Sequence, residues 1–352
     1  MLRSGQMMLA ETLMRHTIGR KWRLSTGGAT LSTQHKPILR MIADHPNAGA
    51  SPFSIQQLSA LGAEKYGKRP RDWYGPELFS QIVGDLMNGS EMNPGFGQAL
   101  GIQTIVARGS VVYRDVVESV FGGGDEKSGN GKSEKSGKSS GSASLFLLIP
   151  VRLGLHDLDE DYISEILHFL EMSSCVGIIG GRPSHSLYFV GSVQPSDSSS
   201  PPQLVYLDPH FEQSSCTLSE TFPTLNDLKT YHQPNPLAMN VNKIDPGLAF
   251  GFYCKTKQQL DELLQDLEEF RSHQNTEPTF YVEDSASKSS SGGGGGGGGS
   301  GGGKGEMSRF SDSWAESEDG SSAGGDSPKR MPGGSRGSGS GRADDDDEWT
   351  FL

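Results

Sequence analysis

The sequence predicts an α+β fold for residues 1–284. Segments with apolar residues at helical spacing and short β-rich apolar runs follow one another there without strict β-α-β alternation. From residue 285 onwards Gly, Ser and Asp dominate, and an unbroken glycine run spans 292–299. Such a segment cannot bury enough apolar surface to offset its loss of conformational entropy, so we expect a disordered tail over 285–343.

The helices are predicted from apolar spacing combined with residues that favour helix ends. Leu9 and Leu13 lie one turn apart in a helix that we place at 6–18, with Gly19 at its C-cap. Capping boxes, a proline suited to the first turn, and an apolar helical face indicate four more helices. These are predicted after Ser54, from Pro76, at 159–170 and after Thr256.

Strands are predicted where β-branched and apolar residues form short runs between turn residues. They span 102–107, 111–113, 145–153, 175–179, 186–193, 203–207 and 249–254. Two polar stretches separate some of them. A Gly/Ser/Lys-rich insertion at 122–144 is expected to be disordered, and a Ser/Pro/Asp stretch at 194–202 is expected to form a loop.

The charge and composition exclude several classes of function. A formal net charge of −12 argues against general nucleic-acid binding, which requires a basic face. No apolar run is long enough to cross a bilayer, and no signal-peptide pattern is found. The three cysteines show no pairing pattern, which fits a reducing compartment, so we expect a cytoplasmic protein.

An Asp and a His stand where the apolar run Leu204–Leu207 ends. Residues two apart in an extended chain project to the same side, so we expect Asp208 and His210 on one face, stiffened by Pro209 between them. A carboxylate beside an imidazole holds one tautomer and favours the imidazolium, as a thiol or hydroxyl nucleophile requires of its base. The alternative is that Asp208 caps a turn beside an ordinary histidine.

The cysteines do not supply an obvious nucleophile for this pair. Cys175 and Cys254 border apolar runs and are expected to be inert core residues. Cys216 lies in a polar stretch, without a helix N-terminus that would favour its thiolate. A metal site is another alternative, although the spacing matches no zinc pattern, and we expect neither metal nor cofactor. The ligands of such a site would be Asp208, His210, His185 and Cys216.

Three further segments give the motif its context. They read Met-Leu-Arg-Ser-Gly-Gln-Met-Met-Leu-Ala at 1–10, Gly-Ile-Ile-Gly-Gly-Arg-Pro-Ser-His-Ser-Leu-Tyr-Phe-Val-Gly at 177–191 and Lys-Ile-Asp-Pro-Gly-Leu-Ala-Phe-Gly-Phe-Tyr-Cys at 243–254. Together with Leu-Asp-Pro-His at 207–210, they closely resemble the autophagins, papain-like cysteine peptidases that trim and delipidate the ubiquitin-like autophagy modifier. The resemblance covers residues 1–20, 53–121, 145–191 and 203–282.

The resemblance implies a papain-like fold and a thiol peptidase in which Asp208 orients His210, and His210 deprotonates a cysteine. In the family that cysteine directly precedes the Met-Leu-Arg that opens this sequence, at a helix N-terminus whose dipole favours the thiolate. We therefore expect residues 1–284 to form a peptidase domain that is incomplete at its N-terminus and, as given, inactive. The alternatives are a non-catalytic protein that binds the modifier and an unstable truncated product.

The resemblance also implies residues that contact the substrate. Trp73 matches the family's tryptophan that covers the active-site groove and packs on the substrate's C-terminal glycine, where a flat ring excludes bulkier side chains. The loop of Arg182, Pro183, Ser184 and His185 matches the family's mobile loop and would open with it. The alternatives are an aromatic lid over a nearby helix and a plain β-turn.

The segment 344–352 combines acids with large apolar side chains. Asp344–Glu348 precede Trp349, and Leu352 lies three residues further on. This pattern resembles the linear motif that docks onto the autophagy modifier, with Trp349 and Leu352 in two pockets and the acids against basic residues. The implied partners are the precursor and lipidated forms of the modifier, and a membrane would be met only through the lipidated form. A solvated acidic tail is the alternative.

Overall fold

The computed structural model describes residues 1–21, 29–44, 49, 51–69, 71–89, 95–122, 143–195, 200–211 and 237–285. Residues 123–142 of the predicted insertion, 196–199 of the predicted loop and Cys216 lie outside these ranges. The same holds for the predicted tail beyond residue 285 and for the C-terminal motif with Trp349 and Leu352. What the sequence predicts for those segments remains a prediction.

The helices of the described residues are α1 (Leu2–Thr17), α2 (Ala29–Ile42), α3 (Ile55–Tyr66), α4 (Pro76–Asn88), α5 (Phe96–Leu100), α6 (Arg114–Ser119), α7 (Ile163–Glu171) and α8 (Lys257–Ser272). Single turns of 3₁₀ helix occur at Glu160–Tyr162 and Val241–Lys243. Within these ranges, no helix combines the length and apolar character that a membrane span requires.

The strands are β1 (Ile102–Val106), β2 (Val111–Tyr113), β3 (Ser144–Arg152), β4 (Cys175–Arg182), β5 (His185–Val193), β6 (Gln203–Leu207), β7 (Leu237–Asn240), β8 (Gly247–Cys254) and β9 (Tyr281–Glu283). The main sheet has the order β1-β3-β8-β4-β5-β6-β7, while β2 and β9 form a separate parallel pair. Strand β1 is parallel to β3, and the other neighbours in the main sheet are antiparallel. Helices around this mixed sheet make an α+β fold, as the sequence predicts.

Helices cover the main sheet on both faces, so its central strands are buried. Along β3, Leu145, Leu147 and Ile149 pack in the core that includes α7 and α8. Phe146 and Leu148 point to the other face and pack in the core that includes α1 to α4. Successive side chains of a strand alternate between faces, so a strand buried on both sides is apolar throughout.

Helix α1 begins at Leu2, four residues before the start that apolar spacing predicts. Ser4 and Gly5 have weak helix propensity, yet both are buried against neighbouring elements. A Cβ added to Gly5 would lie 2.0 Å from Cζ of Phe79, so this glycine lets α1 and α4 approach closely. Tertiary packing therefore extends the helix beyond its sequence signal.

Several predicted helix starts are confirmed. Ser54 caps α3 by accepting a hydrogen bond from the backbone N–H of Gln57 at 3.4 Å. Thr256 caps α8 in the same way, with the N–H of Gln259 at 3.3 Å. Pro76 is the first residue of α4, where its missing N–H costs no helical hydrogen bond.

Other boundaries differ from the prediction. The helix predicted at 159–170 starts as a 3₁₀ turn and becomes α-helical only at Ile163. Strand β4 continues to Arg182, beyond the predicted end at 179. The sequence patterns predict neither α2, which contains Pro37, nor the short elements α5, α6, β7 and β9. The helices α5 and α6, with five and six residues, are shorter than two turns and therefore too short to carry a periodic signal.

Candidate active site

Asp208 and His210 form a close pair directly after β6. Oδ1 of Asp208 lies 2.6 Å from the ring Nδ1 of His210 and also accepts the backbone N–H of His210 at 2.9 Å. The pair is therefore built on a tight turn, so the expectation of two extended residues on one strand face was wrong. Asp208 caps a turn, as the alternative interpretation predicts. It also contacts the ring of His210, as the catalytic interpretation requires.

Pro209 explains this local geometry. It has a fixed φ and no N–H, so the chain leaves β6 after Leu207 and turns. One carboxylate oxygen then reaches both the amide and the ring of the residue two positions on. Because Nδ1 faces a carboxylate, it carries the ring proton, and Nε2 is left as the basic nitrogen.

The electrostatics keep Asp208 ionised. Burial alone would raise the pKa of this carboxyl group, but the hydrogen bonds from the backbone and ring of His210 outweigh it, with help from the nearby His185. The net effect is a pKa below the ordinary value for aspartate. The carboxylate is mostly shielded, whereas the His210 side chain is 47% exposed and can be reached from solvent.

The hairpin of β4 and β5 brings a second imidazole to the pair. The ring centroids of His185 and His210 are 5.3 Å apart. Arg182 and His185 are paired strand ends, so residues 182–185 form a β-turn with Pro183 and Ser184 at its centre, in agreement with the alternative of a plain β-turn. That this turn moves with Trp73 stays a prediction. Ser184 has a φ of 65°, a left-handed conformation that costs energy for a residue with a side chain.

The first turn of α1 contacts β5 directly beside His185. Oγ of Ser4 lies 2.7 Å from Oγ of Ser186, and the Ser186 hydroxyl donates to Sδ of Met1 at 3.2 Å. Both serine side chains are fully buried. The positive end of the α1 dipole is thus one residue along β5 from the histidine that faces His210.

Trp73 lies on the loop between α3 and α4 and is 50% exposed. Its loop is held by Asp72, whose carboxylate accepts the backbone N–H of Arg69 at 2.7 Å, and by Tyr74, which packs over Gly62. Within the described part of the chain, no hydrogen bond or ring contact joins Trp73 to Asp208 or His210. The structure therefore brings His185 to the pair but does not place Trp73 in contact with it.

Two cysteines are described, and both are buried in the core, as predicted. Burial raises the pKa of Cys175 to about 11 and that of Cys254 to about 12. Neither is therefore a ready thiolate at neutral pH. Among the residues with described positions, no cluster of three or more His, Cys, Asp or Glu side chains could hold a metal ion.

The contact between Ser4 and Ser186 was missed by the sequence reasoning. They are 182 residues apart, and neither belongs to a spacing pattern that signals a site. Only the register of β4, β5 and β6 could have indicated that Ser186 lies near the turn after Leu207, because Tyr188 pairs with Leu207.

Comparisons with known proteins agree with this architecture. A family model described as the peptidase C54 catalytic domain matches residues 1–266. The chain is 31% identical to the cysteine protease ATG4D of Xenopus laevis over 309 residues, covering 76% of this chain and 60% of that protein. It is 30% identical to the cysteine protease ATG4B of Xenopus laevis over 294 residues, covering 81% of this chain and 70% of that protein.

A third relative is the human cysteine protease ATG4C, which is 32% identical over 235 residues, covering 66% of this chain and 45% of that protein. The chain thus spans between 45% and 70% of the lengths of these three relatives. The family match runs from the start of α1 into α8 and includes the strands that carry the Asp–His pair. The chain therefore belongs to the peptidase C54 family, the autophagins, which are papain-like cysteine proteases.

Proposed function

We propose that this protein cleaves the ubiquitin-like autophagy modifier after its C-terminal glycine, in the cytoplasm. The observation that carries the proposal is the position of the Asp208–His210 pair, which lies beside the β5 segment that contacts the first turn of α1. A thiol at that end of the helix would be near both the dipole and the histidine, and both favour a thiolate.

We assign the nucleophile to a cysteine directly before Met1, as the family pattern implies. His210 takes the thiol proton at Nε2 while Asp208 holds Nδ1, and the thiolate attacks the carbonyl carbon of the modifier's glycine. The bond from that carbon to the leaving amine breaks, and the imidazolium returns its proton to the amine. Water then adds to the acyl carbon and gives a proton to His210; the C–S bond breaks and the glycine carboxylate is released.

The leaving amine decides which of two reactions takes place. In the precursor it is the α-amine of the residue after the glycine, so cleavage exposes the glycine for conjugation. In the lipidated modifier it is the amine of phosphatidylethanolamine, so the same steps delipidate the modifier. Both reactions need the same positions of thiol and imidazole, so one site serves both.

Trp73 and the hairpin with Arg182, Pro183, Ser184 and His185 are proposed to flank the substrate's C-terminal residues. The support for Trp73 is its half-exposed ring on a loop that hydrogen bonds already hold, since a preorganised aromatic contact loses little entropy on binding. The support for the hairpin is the contact between His185 and His210. We further propose that Trp349 and Leu352 dock onto the modifier.

A second candidate function is non-catalytic binding of the modifier. It is favoured by the burial of Cys175 and Cys254, because neither described thiol can reach His210 without a rearrangement of the core. Such a protein would hold the modifier through its groove and its C-terminal motif. It would release no product.

The experiment compares three forms: the 352-residue chain, the chain preceded by a cysteine, and the chain preceded by an alanine. Each is incubated with a modifier precursor that extends beyond the glycine, and the products are identified from their masses by mass spectrometry. We expect a product ending in glycine only from the cysteine form. Cleavage by the alanine form would assign the nucleophile to another residue, and binding without cleavage in all three would favour the non-catalytic function.

A further inference from the structure

A buried pair of hydroxyls joins the two elements beside the proposed site, the first turn of α1 and the start of β5. Ser4 lies in the first turn of α1 and Ser186 at the start of β5, and the relative exposures of the two residues are 0% and 1%. Their Oγ atoms are 2.7 Å apart. Because the Ser186 hydroxyl donates to Sδ of Met1, the proton between the two serines comes from Ser4.

We propose that Ser4 and Ser186 are positioning residues that set the distance between the nucleophilic thiol and His210. This inference rests on the proposed function, which places the thiol at the N-terminal end of α1. Ser4 fixes that end of the helix, and Ser186 follows His185, whose ring contacts the His210 ring. The hydrogen bond therefore links the thiol side of the site to the base side.

Other contacts keep α1 folded when this bond is removed. Nε2 of Gln6 donates to the backbone carbonyl of Phe53 at 2.7 Å, and Arg3 donates to Oδ1 of Asp44 at 2.7 Å. These bonds attach the first turns to the segment after α2 and do not involve β5. Loss of the Ser4–Ser186 bond thus leaves α1 attached through these bonds and through His16 near its C-terminal end, whose ring lies 2.8 Å from Oη of Tyr253. It removes the side-chain hydrogen bond between Ser4 and β5, so the first turn can shift relative to that strand.

The rate of the proposed reaction depends on the distance between the thiol and His210. A shift of about 1 Å in the position of a reacting group can lower the rate about 100-fold, because the proton transfer and attack require near-contact geometry. Removing both hydroxyls together leaves no unsatisfied polar group, so the double change should cost little stability. A positioning role therefore predicts a loss of rate without a matching loss of stability.

The test uses the cysteine form of the chain with Ser4→Ala, Ser186→Ala and both changes. Ser80→Ala is the matched control, because the Ser80 hydroxyl is also fully buried but donates to Pro76 within its own helix. We expect kcat to fall about tenfold or more in each single variant and no further in the double variant, while KM stays constant. We expect Ser80→Ala to keep its kcat.

A second readout does not depend on the substrate. The rate at which iodoacetamide alkylates the cysteine before Met1 reports the thiolate that the helix and His210 stabilise, and it should fall in the Ser4 and Ser186 variants but not in Ser80→Ala. A kcat and an alkylation rate within about twofold of the control would overturn the positioning role. Fast, Ser4-dependent alkylation without precursor cleavage would contradict the proposed substrate and still support the positioning role.

Discussion

Oδ1 of Asp208 accepts two hydrogen bonds from the same residue, one from the backbone N–H of His210 at 2.9 Å and one from its ring Nδ1 at 2.6 Å. The backbone bond fixes the turn, and the ring bond then fixes the imidazole relative to that turn. The orientation of the imidazole relative to the turn is therefore set within three consecutive residues.

This arrangement predicts that Asp208→Asn inactivates the cysteine form of the chain without unfolding it. The Asn oxygen can still accept both hydrogen bonds, but a neutral amide does not stabilise the imidazolium, so kcat should fall about 100-fold or more. Asp159→Asn is the matched control, since Asp159 accepts the N–H of Asp161 at 3.1 Å in a similar turn. An Asp208→Asn enzyme with nearly full activity would contradict the role assigned to the pair.

In the cysteine form of the chain, Trp73→Ala should lower kcat/KM and leave stability unchanged. Because half of the ring is exposed, its removal should change the free energy of unfolding by no more than about 0.5 kcal/mol. If the ring packs on the substrate's glycine, kcat/KM should fall about tenfold, equivalent to about 1.4 kcal/mol. Leu155→Ala, at another exposed apolar side chain, should change neither quantity, and an equal kcat/KM for both variants would contradict the contact.

Cys175 and Cys254 should resist alkylation in the folded protein. Burial is the main cause of their raised pKa values, about 11 and about 12, so little thiolate forms at pH near 8 and reagents cannot reach it. Peptide mapping after iodoacetamide treatment should show both residues unmodified without denaturant and both modified in its presence. Rapid labelling of either in the folded state would mean that the core opens locally.

Gly5→Ala should destabilise the protein, although alanine is usually the better helix former. The added methyl group would lie 2.0 Å from Cζ of Phe79, and overpacking of this kind costs about 1–3 kcal/mol. Adding Phe79→Leu should recover part of the loss in a double-mutant cycle. Gly191→Ala is the control, since no atom lies within 4 Å of its added Cβ, and equal denaturation midpoints for the two alanine variants would refute the close approach.

The stability of the protein should fall on mild acidification because of His16. Burial and the nearby charge of Lys255 lower its pKa, and the hydrogen bond with the Leu100 backbone only partly offsets them. Folding therefore favours the neutral ring, which lies 2.8 Å from Oη of Tyr253. This contribution is complete above the unfolded pKa of about 6.5 and is lost as pH falls below it.

Denaturant unfolding at pH 7 and pH 5 measures that contribution. The free energy of unfolding should fall less between these two values in His16→Gln than in the wild type, because glutamine does not bind a proton in this range. An identical fall in both proteins would assign the acid sensitivity to other groups.

The central strands β3, β4 and β8 could be predicted because they are buried on both faces. Burial on both faces makes β3, β4 and β8 continuous apolar runs, which stand out from the polar insertion beside them. The first turn of α1 could not be predicted, since Ser4 and Gly5 become helical only through packing against β5 and α4. The helix α5 has only five residues, too few for a periodic signal.

The sequence indicates which residues form the proposed site, but it predicts their spatial arrangement less well. Asp208 and His210 are visible in the sequence because two ionisable residues interrupt the end of an apolar run. Their contact through a turn depends on how Pro209 redirects the chain. The alternation of side chains along a strand predicts an extended backbone there, whereas the structure has a turn. The contact between Ser4 and Ser186 bridges 182 residues, so only the folded sheet brings it about.

The most direct test of the account is covalent capture of the site by a modifier whose C-terminal glycine carries a thiol-reactive electrophile. In the cysteine form of the chain, we predict one adduct on the cysteine before Met1, formed about 100-fold more slowly in His210→Ala because the base is lost. An adduct on Cys216, or an equal rate in His210→Ala, would contradict the claim that α1 and the Asp208–His210 turn form a single active site.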